Sequence, residues 1–292
     1  MLNSGFDYRE KLGRRAAGRT VFAYLSDRYR HSSPREWRRR IEAGQGFIEG
    51  APAAAERELA SGETLVFRRP PWREPEAPTS FAVFYRDHDL LAVAKPAGLP
   101  TLPGGGFLEN TLLRRVRRVA PGASPLRRLG RGTSGLVLFT LNRTARRVLA
   151  SAWARGEVER GYRAIVSGAF PQGETILDFP IGPVPHPVLG SAAGVNAKGK
   201  RARSRVRLIE HRGETSLVEV SIETGRTNQI RIHLATFGYP LAGDRLYGAN
   251  GAALPGETGY LLHAHRLAFR HPRSSAPVEI LWPPKLYRGS AE

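Results

Sequence analysis

The segment from residue 68 to residue 80 reads RRPPWREPEAPTS and holds four prolines. Proline has no backbone N–H to donate and fixes its own φ, so neither a helix nor a central strand continues through such a run. A proline-rich segment is also extended and stiff, which makes it a spacer between folded parts. The chain is therefore predicted to divide into two parts joined by a linker at residues 70–79.

The part before the linker has the pattern of a small helical unit. Residues 19–69 predict two helices followed by a β-hairpin, and Ser33-Pro34 supplies an N-cap and a first turn for the second helix. Residues 1–18 are predicted as an N-terminal extension outside this unit.

The part after the linker, residues 80–292, mixes strands and helices, with strands dominating. The strands do not alternate regularly with helices, so a parallel α/β sheet is not predicted. Residues 182–200 are rich in glycine, alanine and proline and are predicted as a loop. The expected fold class is α+β.

The charge of the chain is strongly positive. Lys and Arg number 45 against 26 acids, for a net charge of +19, and only five of the basic residues are lysine. Between Leu113 and Arg163 there are 13 arginines and two acids. Such a surplus favours a polyanionic partner, and arginine both stacks on bases and binds phosphate in bidentate fashion. Nucleic acid is the expected partner.

Several protein classes are excluded by what the chain lacks. It has no cysteine, so disulfides, thiolate metal sites and a cysteine nucleophile are excluded, and no metal site is predicted. No apolar run reaches the roughly 18 residues that span a bilayer, and the first residues have no apolar leader. The expected location is the cytoplasm, without a membrane.

The stretch LGRGTSGLVLF contains Gly130, Gly132 and Gly135, which together match G-x-G-x-x-G. A dinucleotide-binding loop needs an apolar strand before this motif and a helix after it. Here the preceding residues are the basic SPLRRL and the following LVLF predicts a strand. The motif is therefore not predicted to bind a dinucleotide.

Seven short motifs follow one another in an order and spacing that are highly specific, although each alone is only suggestive. Together they resemble the RluA-type pseudouridine synthases, which isomerise uridine in ribosomal or transfer RNA. The motifs are AVAKPAGLPT (92–101), RRLGRGTSGLVLF (127–139), ERGYRAIVSG (159–168), PIGP (180–183), GKRARS (199–204), ETGRTNQIRIHLATFGYPLAGDRLYG (223–248) and LLHAHRLAFRHP (261–272).

The resemblance implies a fold and a reaction. The fold is a mixed, mainly antiparallel central sheet with flanking helices and a cleft. The reaction breaks the uracil–ribose N-glycosidic bond, rotates the base and forms a C–C bond, without any cofactor, on a nucleotide flipped into the cleft. In the family an Asp is the essential nucleophile or base, a Tyr lies against the uracil, and an Arg pairs with the Asp.

By position, Tyr162 matches the family Tyr and Arg226 matches the family Arg. The position of the Asp is occupied by Gly130. Three further departures are Asn228 for His, Leu102 for His and Arg160 for Lys. Lys95, Arg128 and Arg131 lie in the first two motifs and are predicted to contact RNA.

The unit at residues 19–69 resembles the small RNA-binding domain first seen in ribosomal protein S-four. The match is SPREWRRRIEAGQGFIEGAP followed by LASGETLVF, with Glu49 where the family usually has Asn. The resemblance implies that arginines of the second helix contact RNA phosphates. These are Arg35, Arg38, Arg39 and Arg40.

Two hypotheses remain open for the activity. In the first, the protein isomerises uridine with a displaced carboxylate. None of the six aspartates lies between residues 90 and 177, Asp244 is interpreted as a turn residue, and Glu109 and Glu223 are the alternatives. The partners predicted for Arg226 are a neighbouring Glu such as Glu223, a bound anion or an RNA phosphate. In the second, the protein is a non-catalytic RNA-binding member of the family. Ribosomal RNA is favoured over transfer RNA, and a monomer is expected.

Overall fold

The chain is described here by a computed structural model for residues 2–187, 190–248 and 258–288. It forms two compact units, Met1–Glu74 and Pro75–Glu292. The division falls inside the proline-rich segment.

The first unit packs two helices on a small sheet. Its helices begin where Thr20 and Ser33 accept hydrogen bonds from the backbone N–H groups of Ala23 and Glu36, as side chains at N-caps do. Trp37 and Leu25 are almost fully buried in its core. The elements are α1 (Val21–Arg28), α2 (Pro34–Glu42) and a sheet in the order β1 (Phe6–Lys11), β4 (Thr64–Arg69), β2 (Gly46–Ile48), β3 (Ala51–Pro52).

Strand β1 corrects the prediction for residues 1–18. It pairs antiparallel with β4, and Leu12 and Ala16 are buried in the core of the same unit. These residues are therefore part of the folded unit rather than an extension. The strand reads FDYREK and lies at the edge of the sheet. Its apolar alternation is confined to the exposed Phe6 and Tyr8, which is too short to mark a half-buried strand.

Glu49 occupies the turn between β2 and β3 in a left-handed conformation, with φ of 48°. Asn is better tolerated than most residues in this region, which fits the residue usual in the S-four-like pattern. Glu49 instead adds a side-chain hydrogen bond, accepting the backbone N–H of Thr64 on β4. The turn is thus closed in spite of the different residue.

The second unit is built on one large, mostly antiparallel sheet. Its strands are β5 (Ala82–Arg86), β6 (Leu90–Lys95), β7 (Ser124–Pro125), β8 (Ser134–Thr140), β9 (Glu159–Ser167), β10 (Glu174–Leu177), β13 (Ser204–Arg212), β14 (Thr215–Ile222), β15 (Leu262–Arg270) and β16 (Pro277–Leu281). Within the described residues their order is β10-β13-β14-β9-β15-β8-β6-β5, with β16 added to β15 and β7 to β8. Among the described strands, only β8 and β15 run parallel, where Ser134 pairs with His263.

Helices cover the sheet where its strands are apolar. Every residue of β6 is buried. Helix α3 (Leu112–Val119) packs on one side of β6 and β8 with Leu112 and Val116, while α4 (Arg143–Ala154) packs on the alternate residues of these strands with Ala145 and Leu149. Helix α5 (Gln229–Thr236) packs on β9 and β14. A 3₁₀ turn spans Lys285–Tyr287. The predicted α+β class with a mainly antiparallel sheet is confirmed.

The predicted loop at residues 182–200 is wrong. Most of it forms a separate two-stranded hairpin, β11 (Ile181–His186) and β12 (Gly190–Val195). Pro183 and Pro185 alternate along β11, and proline cannot donate to a ladder, so it is tolerated where a strand has a free edge.

No helix among the described residues is long and apolar enough to cross a membrane.

Candidate functional site

A cleft of about 1260 Å³ opens in the second unit. It is bounded by residues of the segments 100–107, 127–133 and 222–231, by the start of β9 and by β15. Among the described residues that line it are seven arginines and one carboxylate, Glu223. The arginines are Arg127, Arg128, Arg131, Arg160, Arg226, Arg231 and Arg266.

Two of the seven arginines are neutralised by nearby acids. Arg231 binds Asp244, and Arg266 binds Glu159 and Glu279. For the other five, no ion pair with a carboxylate is found among the described residues. A cleft with this excess of guanidinium groups attracts a polyanion.

The glycines of the 130–135 segment have close neighbours on two sides, namely Tyr260 and strand β15. A Cβ on Gly130 would lie 3.1 Å from the hydroxyl of Tyr260, and one on Gly132 would lie 2.7 Å from its ring. Gly135 has φ of 118° and passes so close to β15 that a Cβ would lie 2.3 Å from the carbonyl oxygen of Ala264. Tyr260 thus occupies the space that a side chain at 132 would need, and its hydroxyl would make a tight contact with a side chain at 130.

Tyr260 belongs to a buried polar network next to the cleft. Its hydroxyl is 3.1 Å from that of Thr133, and the Arg231 guanidinium lies 4.1 Å from its ring centre. Arg231 donates two hydrogen bonds to Asp244, at 2.7 and 2.8 Å. Burial alone would raise the pKa of Asp244, but the hydrogen bonds from Arg231 and the backbone N–H of Tyr247 lower it overall. Asp244 is therefore a structural anion, which agrees with its interpretation as a turn residue.

Arg226 lies exposed in the turn that leads into α5. Its Nε donates to the carbonyl oxygen of Arg201 at 2.9 Å, and its backbone N–H donates to the side chain of Gln229 at 3.1 Å. Gln229 is buried and also accepts from the hydroxyl of Thr224 at 2.7 Å. The side chain of Gln229 therefore holds the turn that presents Arg226 to the cleft.

The predicted neutralisation of Arg226 by Glu223 is wrong. The Glu223 carboxylate lies 3.6 Å from Nε of Arg203 and 3.6 Å from Nε of Arg205 instead. The cause is the pairing of β13 with β14, which sets Arg205 opposite Ser221 and leaves Glu223 at the end of the same ladder. Glu109, the other alternative, lies 3.8 Å from Arg114 and is outside the described lining of the cleft.

Tyr162 reaches the cleft from β9, where its neighbours across the sheet are Val220 and Ala264. The side chain is half-buried against the apolar cluster below α5. Burial raises the pKa of the Tyr162 phenol, while the nearby Arg160 guanidinium opposes that shift. The phenol is therefore neutral at physiological pH.

Lys95 is not available to RNA, so its prediction as an RNA contact is wrong. The side chain is fully buried, and its ammonium donates to the carbonyl oxygens of Pro96, Leu99 and Arg131 at 2.9, 2.8 and 3.0 Å. Burial lowers its pKa to about 7. All three donors of the ammonium are used: two bind the loop after β6, and the third joins that loop to the loop before β8.

The loop before β8 presents Arg128 and Arg131. Arg128 is exposed, and the half-buried Arg131 lies with its guanidinium 5.4 Å from the ring centre of Phe107. The hydroxyl of Thr101 donates to the carbonyl oxygen of Leu129 at 3.0 Å and accepts its N–H at 3.2 Å. Both arginines line the cleft, but their contact with RNA stays a prediction.

Two further departures from the family pattern have a place in the cleft. Asn228 is left-handed, with φ of 56°, and donates to the hydroxyl of Tyr247 at 3.1 Å. Asn is among the residues that tolerate this conformation best, which accounts for it at this position. Leu102 lines the cleft as an apolar side chain.

The four arginines of α2 divide into two pairs. Arg38 binds Glu56 at 3.0 Å and lies over the ring of Phe22, and Arg40 binds Glu36 and lies over Trp37. Arg35 and Arg39 are exposed, and within the described residues neither forms an ion pair. Within the described part of the chain, Arg35 and Arg39 are thus the pair without carboxylate partners.

Within the part of the chain that the structure describes, one group of side chains has donor atoms near enough to hold a metal ion, namely Asp87, Asp89 and His271, outside the cleft. The charge of Asp89 is already balanced, because Arg273 donates to both of its oxygens, at 2.6 and 2.7 Å. His271 lies 2.9 Å from Asp87, which also accepts two backbone N–H groups of its own turn. The group closes the turn between β5 and β6.

Three residues of the cleft region were missed by sequence reasoning: Thr101, Gln229 and Tyr260. The first two lie inside recognised motifs, but nothing in their local sequence shows that their side chains bind backbone atoms of distant loops. Tyr260 lies just before the last motif, and its partner Thr133 is 127 residues away. Only the tertiary structure brings these two residues together.

Comparisons with known proteins agree with this geometry. Residues 89–236 match the family described as RNA pseudouridylate synthase. The chain is 39% identical to an uncharacterized RNA pseudouridine synthase of Synechocystis over 89% of its length and 92% of that protein. It is 34% identical to ribosomal large subunit pseudouridine synthase D of Xanthomonas campestris, over 90% of this chain and 85% of that protein.

A solved structure shares the fold. Human RNA pseudouridylate synthase domain containing 1 superposes with a TM-score of 0.60 at 24% identity, covering 72% of this chain and 86% of that one. The arginine-lined cleft on a mainly antiparallel sheet, the matching family and the similar sequences all agree. This chain belongs to the RNA pseudouridine synthase family.

Proposed function

We propose that the protein binds a structured RNA in its cleft and isomerises one uridine there to pseudouridine. The observation that supports this most is the set of arginines without acid partners around a cleft that also holds Tyr162 and Arg226. In the reaction the N1–C1′ bond breaks, the C5–C1′ bond forms, C5 loses its proton and N1 gains one. The product is an isomer of the substrate, so no co-reactant is consumed.

The proposed roles follow from the chemistry of each group. The exposed arginines bind RNA phosphates and displace the counterions that surround the RNA. Tyr162, neutral and half-buried, lies against the flipped uracil. Arg226 keeps its two terminal nitrogens directed to ligand, since only its Nε is engaged by a carbonyl among the described residues.

Isomerisation requires a reactive carboxylate in the cleft, and few residues can supply it. We place Gly130 at the position of the family Asp, and Gly130 has no side chain to react. Asp244 is held by Arg231. Within the described lining of the cleft, Glu223 is the carboxylate that remains, 43% exposed and at the long distance of 3.6 Å from its two arginine partners. Glu223 is therefore the group on which isomerisation by this chain depends.

A second candidate function is RNA binding without catalysis. It is favoured by the packing of Tyr260, whose hydroxyl lies 3.1 Å from where a Cβ at position 130 would be. The cleft can be basic and well ordered without containing a reactive group. The two functions differ only in whether bonds are broken.

Tritium release distinguishes the two functions. Large-subunit ribosomal RNA transcribed with uridine tritiated at C5 is incubated with the full chain, and released tritium is counted. Isomerisation predicts release above one equivalent per enzyme, lost in Glu223→Gln and retained in Glu109→Gln. Stable RNA binding with no release establishes the second function, and release that survives Glu223→Gln removes Glu223 from the first.

We further propose ribosomal RNA as the target and the first unit as an S-four-like RNA-binding domain. Support comes from the name of the Xanthomonas relative, a ribosomal large subunit pseudouridine synthase, and from the exposed Arg35 and Arg39. The cytoplasmic location and the monomeric state stay predictions.

The two arginine pairs of α2 provide a test of the RNA-binding domain. Replacing Arg35 and Arg39 by Gln is expected to reduce the slope of log Kd against log salt by about 0.7–0.9 for each phosphate that is no longer bound. The matched control is Arg38→Gln with Arg40→Gln, which removes the same charge from residues that have internal partners. Equal changes in both double variants would show that α2 makes no direct phosphate contact.

A further inference from the structure

Trp153 lies in the last turn of α4 and lines the cleft, with two arginines over its indole ring. The guanidinium carbon of Arg160 is 4.8 Å from the ring centre, and that of Arg127 is 5.7 Å from it. Cations are attracted to the face of an indole, most strongly where water is excluded. One aromatic side chain therefore gathers two positive charges on the wall of the cleft.

Neither charge is balanced by an acid. Among the described residues, no carboxylate forms an ion pair with Arg127 or Arg160. The two cations also oppose one another: burial lowers the pKa of Arg160, and the neighbouring Arg127 lowers it further. An arrangement of like charges without a counterion is unfavourable unless an anion joins it.

Arg160 is held firmly in place. It is 6% exposed, and its Nη2 donates to the carbonyl oxygens of Ile222 and Glu223 at 3.0 and 3.1 Å. Its Nε is buried and has no hydrogen-bond partner among the described residues. Arg127, in contrast, is exposed and free to meet a ligand.

We propose that Arg127 and Arg160, supported by Trp153, form a subsite for one backbone phosphate of the RNA, beside the uridine-reacting residues. The fixed Arg160 contributes a positive electrostatic potential, and the exposed Arg127 contacts the phosphate directly. Bidentate binding of a phosphate by a guanidinium suits this arrangement. The inference rests on the proposed function in that the ligand is RNA, but it does not require that the uridine react.

The test measures the salt dependence of RNA binding. A fluorescein-labelled, uridine-containing stem-loop of large-subunit ribosomal RNA is titrated with the full chain at several KCl concentrations. Arg127→Gln is expected to weaken binding about tenfold at low salt and to reduce the slope of log Kd against log salt by about 0.7–0.9. Trp153→Leu is expected to weaken binding in the same direction although it leaves the net charge unchanged.

The matched control is Arg147→Gln. Arg147 lies on α4 like Trp153, is exposed and is not among the described residues that line the cleft. Its replacement removes the same charge, so it reports the general loss of attraction. Equal slopes for Arg127→Gln and Arg147→Gln would overturn the subsite alone. Absence of RNA binding by the unaltered chain would overturn the proposed function together with the subsite.

Discussion

Two arginines five residues apart show how differently one cleft uses the same side chain. Arg231 is buried, bound by both oxygens of Asp244 and stacked on Tyr260. Arg226 is exposed, and its described side-chain contact is a single carbonyl oxygen. The first stabilises the wall of the cleft, and the second keeps its charge for a ligand. Residue type alone does not separate the two roles, whereas the presence of a buried carboxylate does.

The largest effect is expected from breaking the buried pair. Asp244→Asn leaves the Arg231 guanidinium buried without a counterion, which typically costs about 3–5 kcal/mol. Urea unfolding of the full chain, followed by tryptophan fluorescence, measures the loss. Arg226→Gln is the contrasting variant, with stability changed by less than about 0.5 kcal/mol but weaker RNA binding. Similar stability losses in both variants would abolish the distinction between the two arginines.

A second effect concerns another buried polar group, His263 on β15. Its ring lies 2.8 Å from the hydroxyl of Ser134 and 2.9 Å from the carbonyl oxygen of Trp282, and burial lowers its pKa to about 4. The unfolded chain takes up this proton near pH 6.5 while the folded chain does not. The contribution of His263 to stability should therefore fall as pH decreases from about 6.5 to 4, by about 3 kcal/mol at most.

The measurement is the free energy of unfolding between pH 7.5 and pH 4. His263→Gln should lower the free energy of unfolding by a similar amount at every pH. It should also remove most of the dependence of that free energy on pH in this window. The control is His31→Gln at an exposed position of the first unit, which should leave the slope intact. A slope that persists unchanged in His263→Gln would assign it to other groups.

A third effect concerns position 130, which lies between the cleft and the buried network of Tyr260. Gly130→Asp is expected to raise tritium release by about 10²-fold over Gly130→Asn, because positioned acid–base groups contribute at least that much. The two variants have the same size and differ only in the carboxylate. Combining Gly130→Asp with Tyr260→Phe removes the hydroxyl 3.1 Å from the new Cβ and should raise release further. Equal release by the Asp and Asn variants would show that position 130 does not face the reacting uridine.

Much of the fold was predictable because its signals are local. Ser33 caps α2, the apolar residues of β6 and β8 mark buried strands, and the prolines mark the division of the chain. Strand β1 and the β11–β12 hairpin were missed because an edge strand and a proline-containing strand lack a sustained apolar alternation. These elements depend on partners, not on their own sequence.

For the site, the motifs predicted which segments meet but not the contacts that each side chain makes. Lys95 stands in a motif and carries a charge, and only its depth in the protein separates it from an RNA contact. Glu223 is three residues from Arg226, yet the register of two strands turns it toward other arginines. Such choices depend on long-range packing, which a linear pattern does not contain.

The ammonium of Lys95 has a consequence for how this chain can vary. Arginine replaces lysine almost everywhere in it, since only five of the 45 basic residues are lysine. Three carbonyl oxygens around one nitrogen match the three N–H groups of an ammonium, whereas a planar guanidinium is larger and directs five N–H groups into a fork. Replacing Lys95 by arginine would therefore be costly although it conserves the charge. At this position the shape of the site, rather than its charge, requires lysine.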